Sequence, residues 1–190
     1  YERRKYDRNP KSPEVTLDGL ETRLERDREG VIANGFPADF QINADNQTIR
    51  GRIFVFNKYN KKGNKVEPKT YGNGVLFCLN GQANGNLGTR FFYQGQKLKY
   101  QNIAQNILVM LDCSQLENKY IEKVFKPDRE RLDENSYTKQ IKDELTEILA
   151  HHQGLKEFQV EWRKQEILKK REDDQEISEM MSKIILTNPG

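Results

Sequence analysis

The sequence predicts an α+β domain, α/β-like in its middle: a small mixed sheet with a β-α-β crossover, followed by a C-terminal helical pair. Three observations carry that prediction. Period-two apolar alternation follows Gly35, one continuous apolar run, "ILVMLDC" (Ile107–Cys113), lies in the middle, and a helical period governs the chain beyond about Ser136.

Residues 1–34 are dense in charge and hold Pro10 and Pro13, which reads as a connecting segment with a short helix over Leu20–Arg28. In "FPADFQI", Phe36, Ala38, Phe40 and Ile42 alternate as in a half-buried strand. "DNQ" then turns the chain, and "TIRGRIFVFN" returns it as a strand rich in β-branched and aromatic residues. "KYNKKGNKVEPKTYGNG" (Lys58–Gly74) has no apolar period and reads as a long loop. "VLFCLN" (Val75–Asn80) is a short buried strand and "GQANGNLG" a Gly/Asn turn region. A crossover helix over Tyr100–Asn106 is expected to lead into the apolar strand.

Farther on, Tyr137, Ile141, Leu145, Ile148 and Leu149 form one stripe of an amphipathic helix, capped by Asn135 or Ser136 and ended by Gly154. A second helix runs from about Leu155, through Phe158, Trp162 and Leu168, to Ile177, and its "KKREDD" reads as a solvated face. The expected division is a connecting segment (1–34), a sheet domain (35–135) and helices (136–190). The opening "YERRKYDRNPKSPE" and the closing "LTNPG" read as cuts through a longer polypeptide.

Composition narrows the functional classes. Hydrophobic residues make up 35% and charged residues 32%, so a modest core carries a very polar surface. A formal net charge of +3 is too small to predict nucleic-acid binding from overall electrostatics, and such binding would need a local patch. Cys78 and Cys113 each sit within apolar runs, as buried reduced thiols do, and they are no basis for a metal site. The adjacent His151 and His152 fall at a helix end, where a solvated or capping role fits better than catalysis. Ser114 beside Asp112 has no nearby base, and neither a phosphate-binding P-loop nor a GxGxxG precedes a helix. No secretory leader or membrane-length apolar run is present, so a cytoplasmic protein without a membrane partner is expected. No catalytic residues emerge.

The connection "KVFKPDRERL" (Lys123–Leu132) stands out. Lys123, Lys126, Arg129 and Arg131 crowd a short segment after the buried strand, where a loop is expected to emerge at the rim of the sheet. Arg presents a planar fork that pairs with phosphate at two points. Surface solvation beside Asp128 and Glu130 is the plainer role for the same residues.

Taken in order, "FCLNGQ" (Phe77–Gln82), "ILVMLDC" and "VFKPDRERL" resemble the transducer domain of GHKL ATPases, the gyrase B, MutL and heat-shock chaperone-like proteins. MutL proteins carry "VNGR", "LYLEI" and "VHPAK" in that order, and gyrase-type enzymes open a long helix with "QTKEKL". The order is most similar to a bacterial GHKL group with "VNGQTHG", "LLVLVDC" and "SRDRL". The resemblance covers about Gly35–Ile177 and is strongest over Val75–Gly154. It implies a ribosomal-protein-type transducer with a left-handed crossover, whose loop cation touches the nucleotide γ-phosphate held by the neighbouring ATPase domain. That position falls on Arg129, with Arg131 on the second cation and Lys126 eligible from the MutL motif. The implied cofactor is ATP with Mg2+ in a parent protein, none being bound by this segment alone. The implied partners are its own N-terminal ATPase domain, a homodimer and DNA, in a genome-maintenance or phage-defence setting.

Two rival readings come from the residues themselves. Lys58, Lys61, Lys62 and Lys65, interleaved with Tyr59 and Tyr71, suit a module for single-stranded nucleic acid. The terminal helices alternatively suit a protein-interaction scaffold.

Overall fold

The computed structural model describes residues 20, 23–24, 28–126 and 132–187, and of residues 28, 178–179 and 181–187 the backbone alone. The chain divides into two compact units, Tyr1–Ala150 and His151–Gly190. The first holds a five-stranded mixed sheet of β1 (Ala38–Ala44), β2 (Gln47–Val55), β3 (Gly74–Leu79), β4 (Gln82–Leu87) and β5 (Ile107–Asp112). Their order is β1-β2-β5-β3-β4. β3 and β5 run parallel, and the other neighbours are antiparallel. Three helices follow: α1 (Asn118–Val124), α2 (Ser136–His151) and α3 (Gln153–Thr187). The expected α+β class, with a crossover and two C-terminal helices, is the observed one.

The hairpin of β1 and β2 follows from its turn. Asp45 and Asn46 both take positive φ, 47° and 61°, the two-residue geometry whose twist matches that of the strands. Gly51 stands opposite Phe40 in this pair. A methyl group at Gly51 would lie 2.2 Å from Phe40 Cζ, so the bare backbone is where the ring rests. β5 is buried from Ile107 to Leu111 because it takes a neighbour on each edge, and it reads as an unbroken apolar run for that reason. The buried Asn106 fastens its start: Asn106 Nδ2 donates to the Phe56 carbonyl at 3.0 Å, and the Phe56 amide donates to the Asn106 carbonyl at 2.8 Å.

Four sequence expectations are corrected. "GQANGNLG" is not a turn region, because all but its ends forms the edge strand β4. The turn itself is Asn80-Gly81, with φ of 52° and 76°. The crossover segment Tyr100–Asn106 contains only one 3-10 turn, Ala104–Asn106; the amides of Ile103 and Asn106 each bond a carbonyl three residues back, so no α-helical ladder starts. Helix α1 follows β5 where the sequence predicts none, and it takes in Lys123, so the first cation of the basic connection lies on a helix and not in a loop. Gly154 does not end α2; the break falls at His152, and Gly154 lies in the first turn of α3. The helix expected over Leu20–Arg28 lies largely outside the described residues.

Candidate functional site

The basic connection hangs from a stapled neck. Where β5 ends, Asp112 Oδ1 accepts the Ser114 amide at 3.0 Å, and Ser114 Oγ accepts the Asn80 amide at 2.8 Å. Ser114 and Asp112 thus tie the strand end to the β3-β4 turn, a structural use of that pair. Gln47 and Glu117 then join in both directions, Glu117 N to Gln47 Oε1 at 3.1 Å and Gln47 Nε2 to Glu117 Oε1 at 3.0 Å, which fixes the start of α1. The Lys119 ammonium lies 2.8 Å from Glu117 Oε2. Its hydrogen bond and charge, with Gln47 adding a further bond, hold the Glu117 carboxyl below the usual carboxylate range.

Lys123 closes the last turn of α1. Its ammonium stands 4.9 Å from the centroid of Tyr120 and 5.9 Å from that of Tyr137, whose own centroids are 4.8 Å apart. That cation therefore rests on two aromatic faces. The Lys123 carbonyl is the hub of a clamp: it accepts Asn135 Nδ2 at 2.5 Å and Thr138 Oγ1 at 3.2 Å. Asn135 Oδ1 in turn accepts the Thr138 amide at 3.0 Å, capping α2 as its sequence predicts. One Asn thus caps one helix and holds the end of another.

Between these helices, Phe125 and Leu132 form an antiparallel bridge, and the Asp133 amide donates to the Val124 carbonyl at 2.8 Å. Leu132 sits on the edge strand: a methyl group at Gly85 of β4 would lie 2.7 Å from Leu132 Cδ2. The connection therefore returns beside β4 at Leu132, and Lys126, the first residue past the bridge, is exposed. Arg129 and Arg131 lie outside the described residues. Beside the neck, Glu134, Asn135, Ser136, Lys139 and Lys142 line an open groove of about 450 Å³.

The second basic cluster belongs elsewhere in the fold. It follows β2, which β5 and β3 separate from β4. Its tip is ordered around Asn60, whose Oδ1 accepts the amides of Lys62 at 2.9 Å and Asn64 at 3.0 Å, while Tyr59 bridges Lys65. Lys61 pairs with Glu29 at 3.3 Å, and the Lys58 carbonyl accepts the Val66 amide at 3.0 Å. Tyr59 is 44% exposed. Tyr71 is engaged instead, stacked on Phe56 at 5.4 Å with the Arg23 guanidinium over its ring at 5.4 Å.

Cys78 and Cys113 are buried and form no disulfide. Burial, then the neighbouring Cys78 and Asp112, pushes the Cys113 thiol far up, away from the nucleophilic thiolate. His152 takes the capping role: its Nδ1 accepts the Leu155 amide at 3.2 Å at the start of α3. Among the described residues, no three His, Cys, Asp or Glu side chains gather into a metal site, and no helix is long and apolar enough to cross a membrane. The seat on Gly85 and the clamp on the Lys123 carbonyl are not legible in the sequence, which offers Asn135 only as one of two candidate caps beside Ser136. No family model matches this chain, and no curated protein matches it in sequence.

Proposed function

We propose that this chain is a non-catalytic coupling domain of a GHKL-type ATPase, acting in the cytoplasm. In this reading Arg129 supplies a cation to the γ-phosphate of ATP bound with Mg2+ on an N-terminal ATPase domain of a longer chain. Lys126 and Arg131 flank it, and hydrolysis is relayed as a movement of the sheet to a homodimer or DNA partner. The observation that carries the reading is the neck: a basic connection stapled at both ends and seated through Leu132 on Gly85 of the edge strand. Arg129 is three residues before Leu132 in sequence. On this reading Arg129 stands by that margin, where a cation would suit electrostatic stabilisation of the charge that develops on a second domain's phosphate. Lys139 and Lys142 along the adjoining groove outnumber its one carboxylate, Glu134, and leave it a net positive charge.

The test is ATP turnover by the longer chain. Arg129→Ala should lower kcat at least about tenfold with an unchanged melting temperature, by analogy with the loss of a single charge-stabilising donor. An unchanged rate would overturn the assignment, as would robust ATP hydrolysis by the 190-residue chain alone.

The exposed Tyr59, set among Lys61, Lys62 and Lys65, favours a second reading, a surface for single-stranded nucleic acid. Its signature is affinity that falls steeply between low and moderate salt and is lost in a Lys61→Ala, Lys62→Ala double variant.

A further inference from the structure

The long helix α3 carries an exposed stripe that its own unit does not cover. Val160, Ile167 and Ile177 are 51%, 55% and 56% exposed. With Val160 at an a position, the heptad a positions are 160, 167 and 174, and the d positions are 163, 170 and 177. This seam is a different stripe from that of Phe158 and Trp162, whose rings touch each other at 5.7 Å. Leu168, exposed as well, stands outside it at a b position. The seam is charged at three of its six described positions: Arg163 fills the first d position, and in the middle Lys170 fills a d position and Asp174 the next a position, all three exposed.

That polar middle specifies its own partner. We infer that α3 pairs with α3 of a second copy of this chain, antiparallel, about a twofold axis at Glu172. Reversing one helix exchanges the three- and four-residue spacings of a heptad, so a positions of one copy meet d positions of the other. Centred on Glu172, Ile167 of one copy meets Ile177 of the other, and Lys170 meets Asp174. Both contacts occur twice by symmetry. A parallel, in-register pair would instead oppose Lys170 to Lys170 and Asp174 to Asp174. The charge order therefore selects the antiparallel dimer and penalises the parallel one. The paired span, residues 160–184, is about 37 Å long at the helical rise. This inference is independent of any role in nucleotide binding.

The experiment is sedimentation equilibrium on the 190-residue chain and two charge variants, Lys170→Asp and Asp174→Lys. The unaltered chain should dimerise, and each variant alone should associate at least about tenfold more weakly, because each opposes like charges across the axis. An equimolar mixture of the two variants should recover the dimer, since every cross-axis contact is again of opposite sign. A lost Lys170–Asp174 interaction within one helix is not repaired by mixing, so recovery identifies contact between chains. Circular dichroism of each variant checks that its helix is intact. A monomeric unaltered chain at roughly 100 μM, or a mixture no more associated than its components, would overturn the pairing.

Discussion

Leu132 lies against the bare Cα of Gly85, so the return arm of the basic connection is seated on the edge strand by the absence of a side chain. A methyl group placed there would stand 2.7 Å from Leu132 Cδ2 and 3.0 Å from its Cγ. Gly85→Val should therefore destabilise the domain by about 1–3 kcal/mol through overpacking. Leu132→Ala should relieve part of that loss in the double variant, with a coupling of at least about 0.5 kcal/mol in a denaturant-melt cycle. Strictly additive effects would mean that the two residues do not share one seat.

The clamp on the Lys123 carbonyl gives a second prediction. Asn135→Ala removes the cap on the Thr138 amide and the Asn135 Nδ2 bond to Lys123 together, so it should cost about 2 kcal/mol, the upper part of the range for a helix cap. Asn135→Asp keeps the capping acceptor and loses the donor, and should fall between the two. Urea melts that rank Asp with Ala would reduce the residue to a simple donor, and equal stability of all three would remove the clamp altogether.

How much of this was legible depends on whether the signal is local. The β1-β2 hairpin, the buried run of β5 and the stripe of α2 each rest on periodicity within a few residues, and each is present as the sequence predicts. Strand β4 was missed because Gln82, Asn84 and Asn86 carry almost no strand propensity. Asn80-Gly81, the commonest two-residue hairpin signal, was there to announce it. Helix α1 escaped for a different reason. Its apolar residues, Tyr120, Ile121 and Val124, are too few for a period, and its start is fixed by Gln47, seventy residues away in sequence. The neck is the least legible part, because it joins Phe125, Leu132 and Gly85 through tertiary packing alone.

Tyr137 offers a third prediction. Its ring is buried against Tyr120 and near the Lys123 ammonium, and its hydroxyl is buried with no hydrogen-bond partner among the described residues. Desolvation first, then Cys113, Tyr120 and Asp45, pushes its ionisation up to about 12. Tyr137→Phe removes a desolvated polar group and keeps the ring, so stability at neutral pH should be unchanged or rise by up to about 1 kcal/mol. The same variant should delete one late-ionising tyrosine from an ultraviolet pH titration of the folded protein. A loss of stability above about 1 kcal/mol would show that the hydroxyl has a partner.

His152 makes the start of α3 sensitive to acid. Its Nδ1 accepts the Leu155 amide, which only the neutral ring can do, and burial lowers its ionisation below the ordinary value of 6.5. Because the folded state resists a proton that the unfolded state takes up, stability is complete above about pH 6.5 and falls as pH drops from there toward the lowered folded value. The first turn of α3 should report this locally: protection of the Leu155 amide in hydrogen exchange, corrected for intrinsic rate, should fall between about pH 7.5 and pH 5. His152→Asn keeps a capping acceptor that does not titrate, and should hold that protection level across the same range. Equal pH dependence in the two proteins would assign the effect to some other group and leave His152 as an ordinary surface residue.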